Sequence, residues 1–181
     1  MTGGSSDLTD VIDAGTSREF VEWHGKQTPR DYQLALFKEA LRENSIVMLE
    51  TGTGKTLVSV MLIQWFSKRA ALAETQINQQ QHQHQQQNDA SATLVKHRRK
   101  IRVFLNNTVA LVYQQARVIS ENTDQKVHAF VGAMGVNDWD DFKWSEKWKT
   151  SSVLVMTHQV LLNALRAGRA HMADIDLLVF D

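Results

Sequence analysis

The stretch Glu50-Thr51-Gly52-Thr53-Gly54-Lys55-Thr56 constrains this chain more than any other, because of what flanks it. The short apolar run Ile46-Val47-Met48-Leu49 precedes it, and a longer one beginning Leu57-Val58-Ser59-Val60-Met61-Leu62-Ile63 follows. That order predicts a strand, a glycine-bearing turn and a helix opened by Gly-Lys-Thr, the arrangement of a phosphate-binding loop. Glycines let backbone N–H groups turn inward around phosphate oxygens, and the N-terminus of the following helix adds partial positive charge. Thr51, Gly52, Thr53, Gly54, Lys55 and Thr56 are therefore candidate triphosphate contacts. Lys55 would reach the terminal phosphates and the Thr56 hydroxyl would ligate Mg²⁺. The general form of the motif carries glycine six positions before the lysine, where this chain has Leu49; the shorter form T-G-x-G-K-T holds in full.

Upstream, Thr28-Pro29-Arg30-Asp31 reads as a helix start, with Thr28 as cap, Pro29 at the first helical position and Asp31 as the capping-box carboxylate. The helix is expected to run to about Asn44, with Leu34, Phe37, Ala40 and Leu41 on its apolar face and Gln33 in its first turn. The helix opened by Lys55 should end near Ala73. Beyond it, residues 75–92 are glutamine-rich, include His82 and His84, and offer almost nothing to bury, so a disordered insertion is expected there. The two histidines lack acidic or thiol companions and read as solvated rather than as a metal site. The basic run Lys96 to Lys100 leads into a strand from Ile101 to Leu105, a turn at Asn106-Asn107 and a helix from Thr108 to about Ser120. A strand over Val127 to Val131 ends at Gly132 and Gly135. The stretch from Asp138 to Trp148 is partly helical, with tryptophans that pack rather than stack on bases. A strand over Val153 to Met156, a helix from Val160 to about Ala167 and a last strand, Leu177 to Phe180, complete the series.

Strands alternating with helices imply right-handed crossovers and a parallel sheet with helices on both faces. Ligands of such sheets sit beyond the carboxyl ends of the strands. Here those ends carry the Gly52–Thr56 loop, Asn107-Thr108, Gly132, Thr157 and Asp181. Four apolar residues delivering Asp181 are what a Mg²⁺-organising carboxylate beside Thr56 requires. Loop, lysine and metal ligands alone give nucleotide binding with little turnover, since a water-positioning residue and a transition-state arginine are not identifiable. Formal net charge is zero over 181 residues, so no global basic field advertises a polyanionic partner, although a local basic face remains compatible with that sum. The absence of cysteine fits a reducing compartment, and no apolar run approaches the ~18–20 residues that span a bilayer, so a cytoplasmic or nuclear protein is expected. Residues 1–27 are expected to form a polar, flexible leader and residues 28–181 one domain.

Taken together, these segments resemble the first RecA-like domain of a superfamily 2, DExH-type helicase, and most closely the helicase region of Dicer-like ribonucleases. Pro29-Arg30-Asp31-Tyr32-Gln33 is similar to the Q-motif, in which the glutamine reads adenine, so Arg30 and Gln33 join the implied nucleotide site. Glu50 to Thr56 resembles motif I, Thr108 to Gln115 motif Ia, and Val131 to Gly135 motif Ib. Val153 to Gln159 with Leu161-Leu162 is similar to the family's V-L-V-M-T-x-Q-x-L-L stretch, and Leu177 to Asp181 resembles the approach to a D-E-C-H box, ending on its first residue. Asn107 and His158 stand where that family commonly carries proline. The resemblance implies an incomplete RecA-like P-loop NTPase fold, truncated at the motif II strand. ATP and Mg²⁺ would be its cofactors, with Lys55 and Asp181 in the chemistry and Thr56 and Asp181 on the metal. It further implies contacts from Thr108, Gln114, Gly132 and Thr157 to the backbone of RNA, expected to be double-stranded, and a second RecA-like domain as partner. A helicase of another superfamily 2 group, acting on DNA or RNA, and a nucleotide- or RNA-binding module without turnover both remain open on the residues alone.

Overall fold

The computed structural model describes residues 25–50, 52–85 and 100–181. Four parallel strands form its sheet: β1 (Ile101–Asn106), β2 (Val127–Phe130), β3 (Val153–Thr157) and β4 (Ile175–Phe180). Their order is β2-β3-β1-β4, so β1 is central and β4 lies at an edge. The register sets Asn106 beside Thr157 and Leu105 beside Phe180, bringing three strand ends to one rim. Five α-helices accompany the sheet among the described residues: α1 (Asp31–Arg42), α2 (Lys55–Gln85), α3 (Val109–Asn122), α4 (Asp141–Thr150) and α5 (His158–Arg166).

The two faces explain why β3 and the Val103–Leu105 stretch of β1 read as continuous apolar runs rather than alternating ones, as strands buried on both sides do. One face packs Phe104, Val153 and Val155 against Val60 and Ile63 of α2 and Val112 and Ile119 of α3. The other packs Val103, Leu105, Leu154 and Met156 against Trp144 of α4 and Val160, Leu161 and Ala164 of α5. Phe130, Trp139 and Trp144 meet edge to face there, with ring centroids 5.2–5.8 Å apart, so these tryptophans are packing residues as expected. Helix α1 lies outside the sheet and buries Phe37 against Val58, Met61, Leu62 and Trp65 of α2.

One charge pair sits within this apolar frame. Arg102 of β1 donates from Nη2 to the carbonyl of Phe66 in α2 at 2.6 Å and pairs with Asp176 of β4 at 2.9 Å. Burial pushes the Asp176 carboxyl above its ordinary range, against the opposing pull of Arg102. The pair ties α2 to two strands at once.

Three expectations from the sequence are corrected. First, Ile46 to Leu49 forms no strand. It pairs with nothing in the sheet, and Ile46 and Met48 are 92% and 89% exposed. An apolar run becomes a strand only where a ladder accepts it, and the edge of β4 pairs only with β1 among the described residues. Second, α1 starts later: Arg30, not Thr28, is the N-cap, and Gln33, not Asp31, closes the box by accepting the Arg30 N–H at 2.9 Å. An amide one methylene longer than an aspartate spans the turn from the third helical position. Third, α2 runs to Gln85, past the expected end near Ala73 and into the polar insert, because alanine and glutamine are good helix formers even with nothing to bury. The leader through residue 24, Thr51, the side chains of His82 and His84, the remainder of the insert and the basic run before Lys100 lie outside the described residues. No helix among the described residues is long and apolar enough to cross a membrane.

Candidate functional site

The Gly52–Thr56 turn has the backbone a phosphate loop needs. Gly52 and Gly54 adopt φ of 84° and 86°, values that L side chains rarely take, and α2 begins at Lys55. Three side-chain bonds within the loop help shape the turn. Thr53 Oγ1 donates to Glu50 O at 2.6 Å, and the Lys55 ammonium donates to Leu49 O at 2.7 Å and to Glu50 O at 3.2 Å. The lysine is thus folded onto its own loop, with two of its three N–H donors on loop carbonyls.

Helix α1 holds the turn from outside. Gln33 is 3% exposed, and its Nε2 donates to Thr53 O at 3.1 Å and Gly54 O at 3.2 Å while its Oε1 takes the Arg30 N–H. Tyr32 Oη donates to the same Thr53 carbonyl at 2.5 Å, and Arg30 Nη1 reaches Tyr32 Oη at 3.4 Å. A Cβ at Gly54 would lie 2.6 Å from Gln33 Nε2, whereas one at Gly52 would meet nothing within 4 Å. Gln33 therefore has both ends of its amide engaged, as a tether between α1 and the loop. Tyr32 is a second tether, not expected from the sequence, although it stands within the Pro29–Gln33 segment.

Across the rim, Asp181 follows β4 with its N–H donating to Leu105 O at 3.0 Å and its Oδ2 accepting from Gln115 Nε2 at 3.3 Å. The donor types fit Mg²⁺. Thr56 and Asp181 offer hard oxygens, and no group of three or more His, Cys, Asp or Glu that could cage a metal exists among the described residues. Such an ion would depend on one carboxylate, a hydroxyl and ligand phosphates, the usual mode of Mg²⁺.

Three of the nucleic-acid candidates, Thr108, Gly132 and Thr157, lie at that rim. Thr108 caps α3, accepting the Leu111 N–H at 3.3 Å, and is exposed. Gln114 is exposed on α3, and Gly132 is exposed just after β2, with open space where a side chain would project. Thr157 ends β3 and caps α5 without using its side chain. His158, next to it, is exposed and stacks on Phe180, centroids 5.8 Å apart, so the turn after β3 touches the end of β4. The strand ends bring Thr108, Gly132, Thr157 and Asp181 to one edge of the sheet. Gln115 was missed as a separate residue: it lies between Val112 and Ile119 at helical spacing, all three buried, and that polar break in an apolar stripe was the available signal. Two clefts of about 370 and 380 Å³ lie elsewhere, beside α4 and the turn after α5, and contain none of these residues.

Residues 30–181 match the DEAD/DEAH box helicase family. Over 156 residues the chain is 38% identical to Endoribonuclease Dicer homolog 2b of Oryza sativa subsp. japonica, covering 86% of this chain and 10% of that protein. It is 36% identical over 158 residues to Dicer-like protein 1 of Neosartorya fischeri, covering 87% and 9%. Among solved structures it is similar to the Pyrococcus furiosus Hef helicase domain, with a TM-score of 0.56 and 27% identity over 84% of this chain and 26% of that one. The chain spans about a tenth of the length of these curated relatives.

Proposed function

Because this chain belongs to the DEAD/DEAH box helicase family, we propose that it is the ATP-binding half of an RNA-dependent ATPase, from the helicase region of a Dicer-like protein that processes double-stranded RNA. The observation that carries this reading is the glycine turn, with left-handed Gly52 and Gly54, that opens α2 at Lys55 and Thr56. Its complement is the carboxyl edge of the parallel sheet, where Thr157 ends β3 and Thr108, Gly132 and Asp181 follow β1, β2 and β4 within two residues. A ligand bound at such an edge touches several loops at once, which is how parallel sheets build sites.

In this reading the loop N–H groups, Gly52 to Thr56 together with Thr51, receive the triphosphate. Lys55 exchanges the Leu49 and Glu50 carbonyls for phosphate oxygens, and Thr56 and Asp181 hold Mg²⁺, which when bound neutralises charge on the phosphates. Arg30 and Gln33 lie on the base side, and Gln33 serves the site first by fixing the loop carbonyls at Thr53 and Gly54. Thr108, Gln114, Gly132 and Thr157 hold a sugar–phosphate backbone, which positions a strand without reading its sequence. Turnover requires a second RecA-like domain facing this rim, and ribonuclease III activity, where present, belongs to other parts of such a protein.

The test is ATP hydrolysis by the full-length protein with double-stranded RNA, single-stranded RNA or duplex DNA. Stimulation by double-stranded RNA, lost in Lys55→Ala, is expected. Stimulation by DNA instead points to another helicase group. ATP binding with no stimulation by any nucleic acid refutes the ATPase reading in favour of a binding module.

A further inference from the structure

Gln115 is costly where it stands. It is 6% exposed on the sheet-facing side of α3, in the stripe it shares with Val112 and Ile119, and its Oε1 is buried with no hydrogen-bond partner. A buried carbonyl without a partner destabilises a fold, and a leucine would pack in that stripe without the penalty. Packing therefore does not explain the residue. Its one hydrogen bond does: Nε2 donates to Asp181 Oδ2 at 3.3 Å. An ionised carboxylate only accepts, so the amide must present its NH₂ end to Asp181, and its carbonyl is forced into the apolar side. A second buried amide sits nearby in the register. Asn106, the last residue of β1, is fully buried with neither side-chain atom partnered, and the Asp181 N–H bonds to the residue before it. Strand alternation sets Asn106 on the face of Phe104, the one that α2 and α3 cover.

We infer that Gln115 is a positioning residue. From the buried stripe of α3 it fixes one oxygen of the Asp181 carboxylate, orienting the other toward the metal, and so ties the helix that begins at Thr108 to the Mg²⁺ side of the nucleotide site. The inference rests on the nucleotide reading above and adds its regulation: whatever displaces α3 at its exposed Thr108 and Gln114 also turns the Asp181 carboxylate. Groups that orient a metal ligand commonly matter about ten- to a hundredfold in metal affinity.

The experiment titrates a fluorescent ADP analogue into the full chain in EDTA and over a Mg²⁺ series, for wild type, Gln115→Leu and Gln115→Glu, alongside urea unfolding. Gln115→Leu is expected to bind in EDTA as wild type does, to need about tenfold more Mg²⁺ for the metal-dependent gain, and to unfold at an equal or higher urea midpoint. Gln115→Glu, which sets a second carboxylate beside Asp181, should shift the Mg²⁺ requirement further. An unchanged Mg²⁺ dependence in both variants overturns the inference. So does a Gln115→Leu variant that loses stability and metal-free binding in proportion, the mark of a merely structural residue. Wild type that binds no nucleotide under either condition overturns the nucleotide reading itself, and this inference with it.

Discussion

Replacing Gly54 by alanine tests whether α1 holds the phosphate loop. Two costs arise at this position. The backbone φ of 86° is unfavourable for an L side chain by about 1–2 kcal/mol. The added Cβ would also lie 2.6 Å from Gln33 Nε2, and that amide cannot step aside freely, because it is buried and bonded at both ends. Displacing it breaks its bonds to Thr53 O and Gly54 O, at roughly 0.5–1.5 kcal/mol each. Gly54→Ala should therefore cost about 2–5 kcal/mol in urea unfolding. Gly52→Ala has a nearly equal φ and no atom within 4 Å of the new Cβ, so about 1–2 kcal/mol is expected. In a Gln33→Ala background the collision is absent and Gly54→Ala should fall to that same lower figure. The double-mutant cycle should then return a coupling of about 1–3 kcal/mol. Equal costs for the two glycines, or additive costs in the cycle, would refute the tether.

Two further perturbations probe the frame that carries the site. Asp176 has a folded pKa raised by burial, so between the ordinary carboxylate value and that raised value the folded state binds the extra proton. Wild type should gain stability relative to Asp176→Asn as pH falls from neutral toward the ordinary aspartate pKa, seen in paired urea unfolding curves; a flat difference contradicts the assignment. Trp144→Ala removes an indole that is 2% exposed, meets Phe130 and Trp139 edge to face and donates from Nε1 to Val136 O at 3.2 Å. A loss of about 3–5 kcal/mol in unfolding free energy is expected, and a loss under 1 kcal/mol would mean that this face is not packed as described.

What could be read from the sequence depended on whether the signal was local. The strand ending at Thr157 announces itself because both faces of the sheet are covered there, and burial on both sides leaves an unbroken apolar run; β1 reads the same way from Val103 to Leu105. The helix start at Thr108 was equally local, its hydroxyl accepting the N–H three residues on. The same rule misled at Ile46 to Leu49, whose composition is that of a strand; pairing depends on a neighbour far away in sequence, which composition does not encode. The residues touching the loop were legible as a motif but not as contacts. Nothing local says that Gln33 reaches Thr53 and Gly54 across some twenty positions, or that Gln115 reaches Asp181 across sixty-six.

The correction at Ile46 to Leu49 changes what must hold the phosphate loop. A loop preceded by a strand in the sheet inherits its position from the ladder. Here the preceding segment has no ladder, yet the turn keeps two left-handed glycines and a defined set of bonds. Those bonds come from α1 and from the loop itself: Tyr32 and Gln33 donate to the Thr53 and Gly54 carbonyls, and Lys55 draws in Leu49 O and Glu50 O. Helix α1 is anchored in turn by Phe37, 1% exposed against α2, the helix that the loop opens. The clamp is therefore a closed circuit of α1, loop and α2. It follows that Phe37, which touches no candidate ligand contact, should govern the loop: Phe37→Ala loosens α1 from α2, and amide exchange at Gly52 to Lys55 should speed up by an order of magnitude or more, since a buried phenylalanine contributes about 3–5 kcal/mol. Unchanged exchange in the loop, with α1 alone becoming labile, would mean that the turn is held by Lys55 and Thr53 without help from α1.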